Sequence, residues 1–151
     1  MLPAPEVQGM TFASFDLRVH GFHCDLYGHV NHARYLEFLE AGRWEMLGET
    51  VELDTWHDQG RRFVIVRVDV SYRAAATLGD DLVVRSWGGE IGKSSARVHQ
   101  EIVRKSDART IVEATITYVI LNAQSGRPLR LDGELAEALG QMPRKPGRDP
   151  E

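Results

Sequence analysis

The run HARYLEFLEAGRWEML, residues 32–47, decides the architecture, because it is the one long stretch with helical apolar spacing. Tyr35, Leu39, Gly42 and Met46 fall at i, i+4, i+7 and i+11, with Leu36 and Leu47 alongside. Arg34, Glu37 and Glu45 take the opposite side. A glycine inside a helix costs about 1 kcal/mol relative to alanine. Gly42 is therefore expected to mark a close approach of this helix to another backbone, and the helix to be tightly packed.

Outward from the helix, the chain reads as strands. Before it, Thr11 to His20 is extended, with Phe12, Phe15, Leu17 and Val19 as apolar positions. After it, Arg62 to Tyr72 alternates: Val64, Val66, Val68, Val70 and Tyr72 on one face, Arg67, Asp69 and Ser71 on the other. Leu82 to Ile91 follows, then a Gly92-Lys93 turn of a favoured hairpin kind. Ser94 to Lys105 sets Ala96, Val98 and Ile102 against Arg97, His99 and Glu101. Thr110 to Asn122, TIVEATITYVILN, is the most β-branched segment, and Gly133 to Leu139 reads as a short final helix. Short links between successive strands imply an antiparallel sheet whose apolar face lies on the long helix, an α+β domain. Residues 1–10 and 141–151, with their prolines and weak periodicity, read as flexible tails around a single domain at 11–140.

Composition narrows the function classes. The 151 residues suit one domain able to bury its own core. Asp plus Glu number 22 against 18 Lys plus Arg, a formal charge of −4. That balance argues against a nucleic-acid partner, which needs a basic footprint, but leaves room for small anions. A lone cysteine, Cys24, excludes an internal disulfide framework and fits a reducing cytoplasm. No apolar run approaches membrane-spanning length, and MLPAPEVQGM does not read as a secretory signal, so no membrane partner is expected.

The chemistry is concentrated just before the helix. Four of the six histidines, His20, His23, His29 and His32, share a short window with Cys24, Asp25, Tyr27 and Asn31. The first turn of a helix presents backbone N–H groups without intrahelical partners, at the positive end of the macrodipole. An oxyanion forming there meets preorganised donors, and the nearby Asp25 carboxylate can attack a carbonyl or activate water. Acyl transfer is the natural reaction class. Each group also has a plainer reading: Asp25 as a carboxylate favoured by the dipole, His29 as a structural loop histidine, His32 as a helix-start residue contributing only its backbone. Cys24 reads as a small buried thiol. Glu40 and Arg43 read as a surface ion pair, with Glu40 also a candidate for lining the pocket. His23, Asp25, His29 and His32 are suitable metal-ligand types, but no zinc spacing is matched, and no metal is expected.

The same residues carry a family resemblance. HCDLYGHVNHARYLEFLEAGRW, residues 23–44, resembles the signature of hot-dog-fold thioesterases of the 4-hydroxybenzoyl-CoA thioesterase type. It is most similar to the bacterial long-chain acyl-CoA thioesterase III branch, with a pattern near H-x-D-x-x-x-H-V-N-N-A-R-Y-L-E-F-L-E-x-x-R-W. The similarity continues through VDVSYRAAATLGDDL, GKSS and LDGELAEALGQM, covering nearly the whole chain. The resemblance implies one long helix wrapped by a five-stranded antiparallel sheet, and hydrolysis of a long-chain fatty acyl-CoA to free acid and coenzyme A. Coenzyme A is then part of the substrate, and no cofactor is required.

Residue by residue, it implies that Asp25 is nucleophile or general base, that His29 belongs to the catalytic set, and that the backbone at His32 polarises the thioester carbonyl. Asn31 and Tyr35 shape the pocket around the scissile bond. Lys93, Ser94 and Ser95 approach the pantetheine and phosphates. Two departures stand out: His32 where the branch has Asn, and Gly28 where it has a polar residue. The resemblance further implies a homodimer or homotetramer with sites at the subunit interface. Without it, Lys93 to Ser95 would read as plain hairpin chemistry. Two alternatives remain open: an enoyl-thioester hydratase or dehydratase of the same fold, whose usual Asn-Pro between the Asp and His is absent here, and a non-catalytic acyl-CoA binding module.

Overall fold

The computed structural model describes residues 12–144. The order of elements is β1 (Ala13–Arg18), α1 (His32–Thr50), α2 (Leu53–Asp58), β2 (Arg61–Tyr72), β3 (Asp81–Ile91), β4 (Ala96–Arg104), β5 (Arg109–Asn122) and α3 (Gly133–Leu139). The strands form one antiparallel five-stranded sheet in the order β1-β3-β4-β5-β2. The long helix lies on one face of this sheet, chiefly over β1, β3 and β4. This is the α+β hot-dog arrangement.

The helix forms where its spacing predicts and runs three residues further, to Thr50. Asn31 caps it, its Oδ1 accepting the Ala33 N–H at 3.0 Å. Tyr35, Phe38, Leu39, Gly42, Met46 and Leu47 are its buried face. Full burial of a side chain such as Leu39 or Met46 stabilises by about 1.5–3 kcal/mol. Gly42 does mark a close approach, but to side chains rather than backbone. A Cβ there would lie 2.6 Å from Val84 Cγ1 and 3.3 Å from Ser86 Oγ.

Beneath the helix the sheet carries Leu82, Val84 and Ser86 from β3, and Ala96, Val98, Gln100 and Ile102 from β4, all buried. Gln100 is the polar member of this layer. Its Nε2 donates to Leu39 O at 2.9 Å and to Ser86 Oγ at 2.8 Å, and its Oε1 accepts from Arg43 Nη1 at 3.1 Å. Arg43 thus turns inward to the sheet, where burial lowers its pKa from the ordinary arginine value against the opposing charge of Glu40. Glu40 instead accepts from Trp44 Nε1 at 3.4 Å. The expected Glu40–Arg43 surface pair is replaced by these two contacts.

Three further expectations are corrected. The even alternation read for β2 breaks at Val66, where the register with β5 shifts between Ile65 and Arg67. Val68, Val70 and Tyr72 face the helix side, aligned with buried Ile116, Ala114 and Val112; past the bulge Ile65 and Phe63 take that side, aligned with Tyr118 and Ile120. Val64 is thereby moved to the other face. The first strand is shorter than read, and the turn after β3 spans Gly92 to Ser95, closed by Gly92 N–H donating to Ser95 O at 2.8 Å. The short helix Leu53–Asp58 was not foreseen.

Residues 141–144, read as the start of the second tail, are docked on β3. Met142 is buried, Gly88 N–H donates to Pro143 O at 2.7 Å, and Arg144 Nη1 donates to Gly89 O at 2.7 Å. The remainder of that tail, and the whole of the first at residues 1–10, lie outside the described residues.

Candidate active site

The segment between β1 and α1 folds back on itself in short steps. A 3-10 turn at Gly21–His23 opens it, with the His20 N–H donating to His23 Nδ1 at 2.9 Å. Burial, reinforced by the charges of His20 and Arg34, holds the His23 pKa below the ordinary histidine value. His23 Nδ1 is thus the acceptor that fixes the turn. Phe38 of the helix meets its ring edge-on at 5.0 Å between centroids.

Asp25 to Gly28 is the next turn, closed by Gly28 N–H donating to Asp25 O at 3.0 Å. Gly28 has φ +80°, a conformation L side chains rarely adopt, which accounts for glycine where the related branch has a polar residue. The Tyr27 N–H donates to Asp25 Oδ1 at 2.9 Å, and the Asp25 N–H donates to His29 O at 2.9 Å. One carboxylate oxygen is thus held by the turn, leaving the other for chemistry. Cys24, half-buried, bridges to Val30, and its Sγ lies 3.8 Å from His20 O.

The loop is then stapled to the segment after β2. His29 bridges Thr77, Val30 N–H donates to Ala76 O at 2.9 Å, and Ala76 N–H donates to Tyr35 Oη at 3.0 Å. Tyr35 is buried, and burial raises its pKa; it acts by holding this staple. Asn31 N–H donates to His23 O at 2.9 Å, so one residue closes the loop and caps the helix. The His32 N–H, first of the helix, has no acceptor among the described residues, as expected at a helix start.

Asp25 and His29 are therefore exposed on one loop at one end of the sheet, and exposed His32 follows as the first residue of α1. Sequence reasoning missed Tyr72. It ends β2, its hydroxyl donates to His32 O at 3.3 Å, and its ring meets the His32 imidazole at 6.3 Å. The available signal was its place as the last aromatic before the RAAATLGDD loop.

Lys93, Ser94 and Ser95 are not brought to this loop within the chain. Arg18, just before the loop, aligns with Asp81 at the start of β3, whereas Lys93 follows the far end of that strand at Ile91. The Lys93 carbonyl accepts the Leu131 N–H at 2.6 Å, and the Lys93 and Ser94 side chains are exposed. Among the described residues no three His, Cys, Asp or Glu side chains converge as metal ligands. Among them, too, no helix is long and apolar enough to cross a membrane.

Comparison with known proteins matches this arrangement. The long-chain acyl-CoA thioesterase FadM of Escherichia coli is 36% identical over 126 residues, 83% of this chain and 96% of that protein. The acyl-CoA thioesterase YbgC of Haemophilus influenzae is 28% identical over 131 residues, 85% of this chain and 95% of that protein. Among solved structures, the probable thioesterase YbaW of Escherichia coli superposes with a TM-score of 0.82 at 34% identity, covering 87% of this chain and 99% of that one. A Staphylococcus aureus protein, SAV2348, solved in complex with CoA, shares the fold with a TM-score of 0.80 at 12% identity, covering 93% of this chain and 90% of that one. The model of the thioesterase-like superfamily matches residues 20–139, and the chain belongs to that family.

Proposed function

We propose that this chain hydrolyses acyl-CoA thioesters, long-chain fatty acyl groups among them, to the free acid and coenzyme A. The observation that carries the reading is an exposed Asp25 carboxylate, one oxygen held by Tyr27 N–H, on the loop that runs directly into the uncommitted N–H at the start of α1. The family membership and the 36% identity to a long-chain acyl-CoA thioesterase support it.

The His32 N–H donates to the thioester carbonyl oxygen and stabilises the oxyanion as it forms. The free oxygen of Asp25 then follows one of two routes. As nucleophile it adds to the carbonyl carbon; collapse breaks the C–S bond, releases the thiolate to take up a proton, and leaves a mixed anhydride that water cleaves. As general base it takes a proton from water while the hydroxide adds, and the proton passes to the departing sulfur. His29 and His32 position water and substrate, and Asn31 and Tyr35 hold the loop and the helix start around the scissile bond. Neither route needs a metal or cofactor, so activity is expected to survive a chelator.

A second copy completes the site. Among the described residues β2 has no neighbour beyond its outer edge, and Ile65, Val66, Val68 and Tyr72 are 39%, 56%, 42% and 44% exposed along it. Trp44, exposed on α1, lines one cleft with Phe63 of the same strand. Two chains joined edge to edge through β2 cover this surface as a homodimer, which can pair again to a tetramer. The Lys93–Ser95 turn then meets coenzyme A across subunits. The setting proposed is the cytoplasm.

Thiol release from a panel of acyl-CoA chain lengths tests the reading. Asp25→Asn is expected to lower kcat by roughly a hundredfold or more. Near-wild-type turnover in that variant removes Asp25 from the mechanism. Hydration of crotonyl-CoA without thiol release replaces hydrolysis with hydratase chemistry.

A further inference from the structure

The start of α1 spends most of its hydrogen-bonding groups on itself. Ala33 N–H donates to Asn31 Oδ1 at 3.0 Å, and Arg34 N–H donates to Asn31 O at 2.8 Å. Of the first three N–H groups of the helix, that of His32 alone is left for a ligand. Oxyanion sites set more than one donor around the developing charge. The helix supplies one of them, and a neighbouring side chain is the source of another.

Asn31 carries that donor. Its own N–H is spent on His23 O at 2.9 Å, its carbonyl on Arg34 and its Oδ1 on Ala33. The Ala33 N–H requires an acceptor, so the amide oxygen faces the helix and the amide NH2 is left outside it. That NH2 has no acceptor among the described residues.

A short ladder relates this amide to Asp25. Asp25 N–H donates to His29 O and Asn31 N–H donates to His23 O, each at 2.9 Å, on either side of the Cys24–Val30 bridge. Side chains alternate across such a ladder. Val30 is buried and Cys24 half-buried on the inner face; Asp25 and His29, exposed, and Asn31, half-buried, take the outer one. Asp25 lies opposite His29, so Asn31 is its diagonal neighbour, with backbones about 7–8 Å apart. A carbonyl group bridges such a gap, since attack begins at about 3–3.5 Å and a hydrogen bond spans about 3 Å.

We propose that the Asn31 side-chain amide is the second donor to the thioester oxygen, beside the His32 N–H. One residue then caps the helix with its oxygen and completes the oxyanion site with its nitrogen. The inference rests on the thioesterase reading and uses groups of one chain only.

Asn31→Ser separates the two roles, because serine caps a helix as well as asparagine does but has no amide. The expected result is a fall in kcat of roughly a hundredfold with KM within about threefold of wild type. The melting midpoint should stay close to wild type, whereas Asn31→Ala, which loses the cap as well, should melt lower. Wild-type kcat in Asn31→Ser overturns the proposal and leaves Asn31 as a cap. Two unreactive ligands check the same point without turnover. A trifluoromethyl ketone thioether of coenzyme A hydrates to a tetrahedral carbon bearing oxygen, as the transition state does; S-propyl-coenzyme A has the same length and no such oxygen. Calorimetry should find the ketone weakened roughly tenfold or more by Asn31→Ser, relative to the thioether. Equal weakening of both overturns the proposal, because damage to the pocket then explains the loss. Full turnover in Asp25→Asn removes the thioesterase reading and the proposal with it, while wild-type kcat in Asn31→Ser removes the proposal alone.

Discussion

The two edges of the sheet are built on opposite terms. β1 is six residues long, and its solvent side carries Ser14, Asp16 and Arg18. Asp16 pairs with Lys105 at 3.0 Å and Arg18 with Asp81 at 2.9 Å. Such exposed pairs add little stability, but charge on a short edge blocks further pairing. β2 is twelve residues long and leaves valine, isoleucine and tyrosine in the open. An edge of that kind is an aggregation hazard unless something covers it. One sheet thus carries a finished edge and an unfinished one, and the start of α1 leans on the unfinished one through Tyr72.

The strongest way to break this contrast is to charge the open edge. Val68→Glu is expected to give a monomer by sedimentation and to lower acyl-CoA turnover at least a hundredfold, roughly, because half of each site is removed. A dimeric, active Val68→Glu enzyme would show that β2 is not the joining surface.

Next in size is a change under the helix, away from both edges. Gly42→Ala gains helix propensity of about 1 kcal/mol but forces its Cβ toward Val84 Cγ1. Overpacking of this sort costs about 1–3 kcal/mol, so a thermal midpoint lower by several degrees is expected. Adding Val84→Ala should recover part of the loss. If the double variant is instead less stable by the sum of the two, the contact at Val84 is not what requires glycine.

A smaller effect comes with acid. His23 has a folded pKa below its unfolded value of about 6.5. Its neutral form, accepting the His20 N–H, therefore stabilises the fold above about pH 6.5, and the contribution is lost as pH falls through the lower folded value. Thermal melts of wild type and His23→Gln from pH 7.5 to 5 should converge at the acid end. A gap that widens in acid would reverse the assignment. The smallest effect belongs to the closed edge: Ser14→Lys on β1 should leave assembly and activity at wild-type values, and dissociation by this variant would make both edges interfaces.

Much of this was legible because helix and strand periods are properties of a single segment. The α1 face, with Gly42 as its contact point, follows from spacing alone, and so does the meander of β3, β4 and β5. What escaped depends on neighbours. The bulge at Val66 is defined only against β5, so an alternating strand conceals it. Gln100 occupies an apolar position because Leu39 O, Ser86 and Arg43 satisfy it there, and none of these is near in sequence. The helix at Leu53–Asp58 is too short for a period to show, with Trp56 as its one buried residue.

The site divides in the same way. Asp25, His29 and His32 lie in one sequence window, so their candidacy was legible without the fold. Tyr72 reaches that window from forty residues away. Lys93 to Ser95 were assigned by resemblance, and within the chain they sit at the opposite end of the sheet from the loop.

The strand order has a consequence for how the molecule is made. β3, β4 and β5 are joined by short turns and pair with sequence neighbours, whereas β1 must find β3, and β2 must find β5, across long intervening chain. Loop closure favours local pairings, so the three-strand meander is expected to assemble early and both outer strands to dock late. The loop that carries Asp25 and His29 hangs from β1, from the helix and from the segment that follows β2. The site therefore comes into being at the end of folding, and hydrogen exchange should find its staples at Val30 and Ala76 among the first to open and the meander among the last.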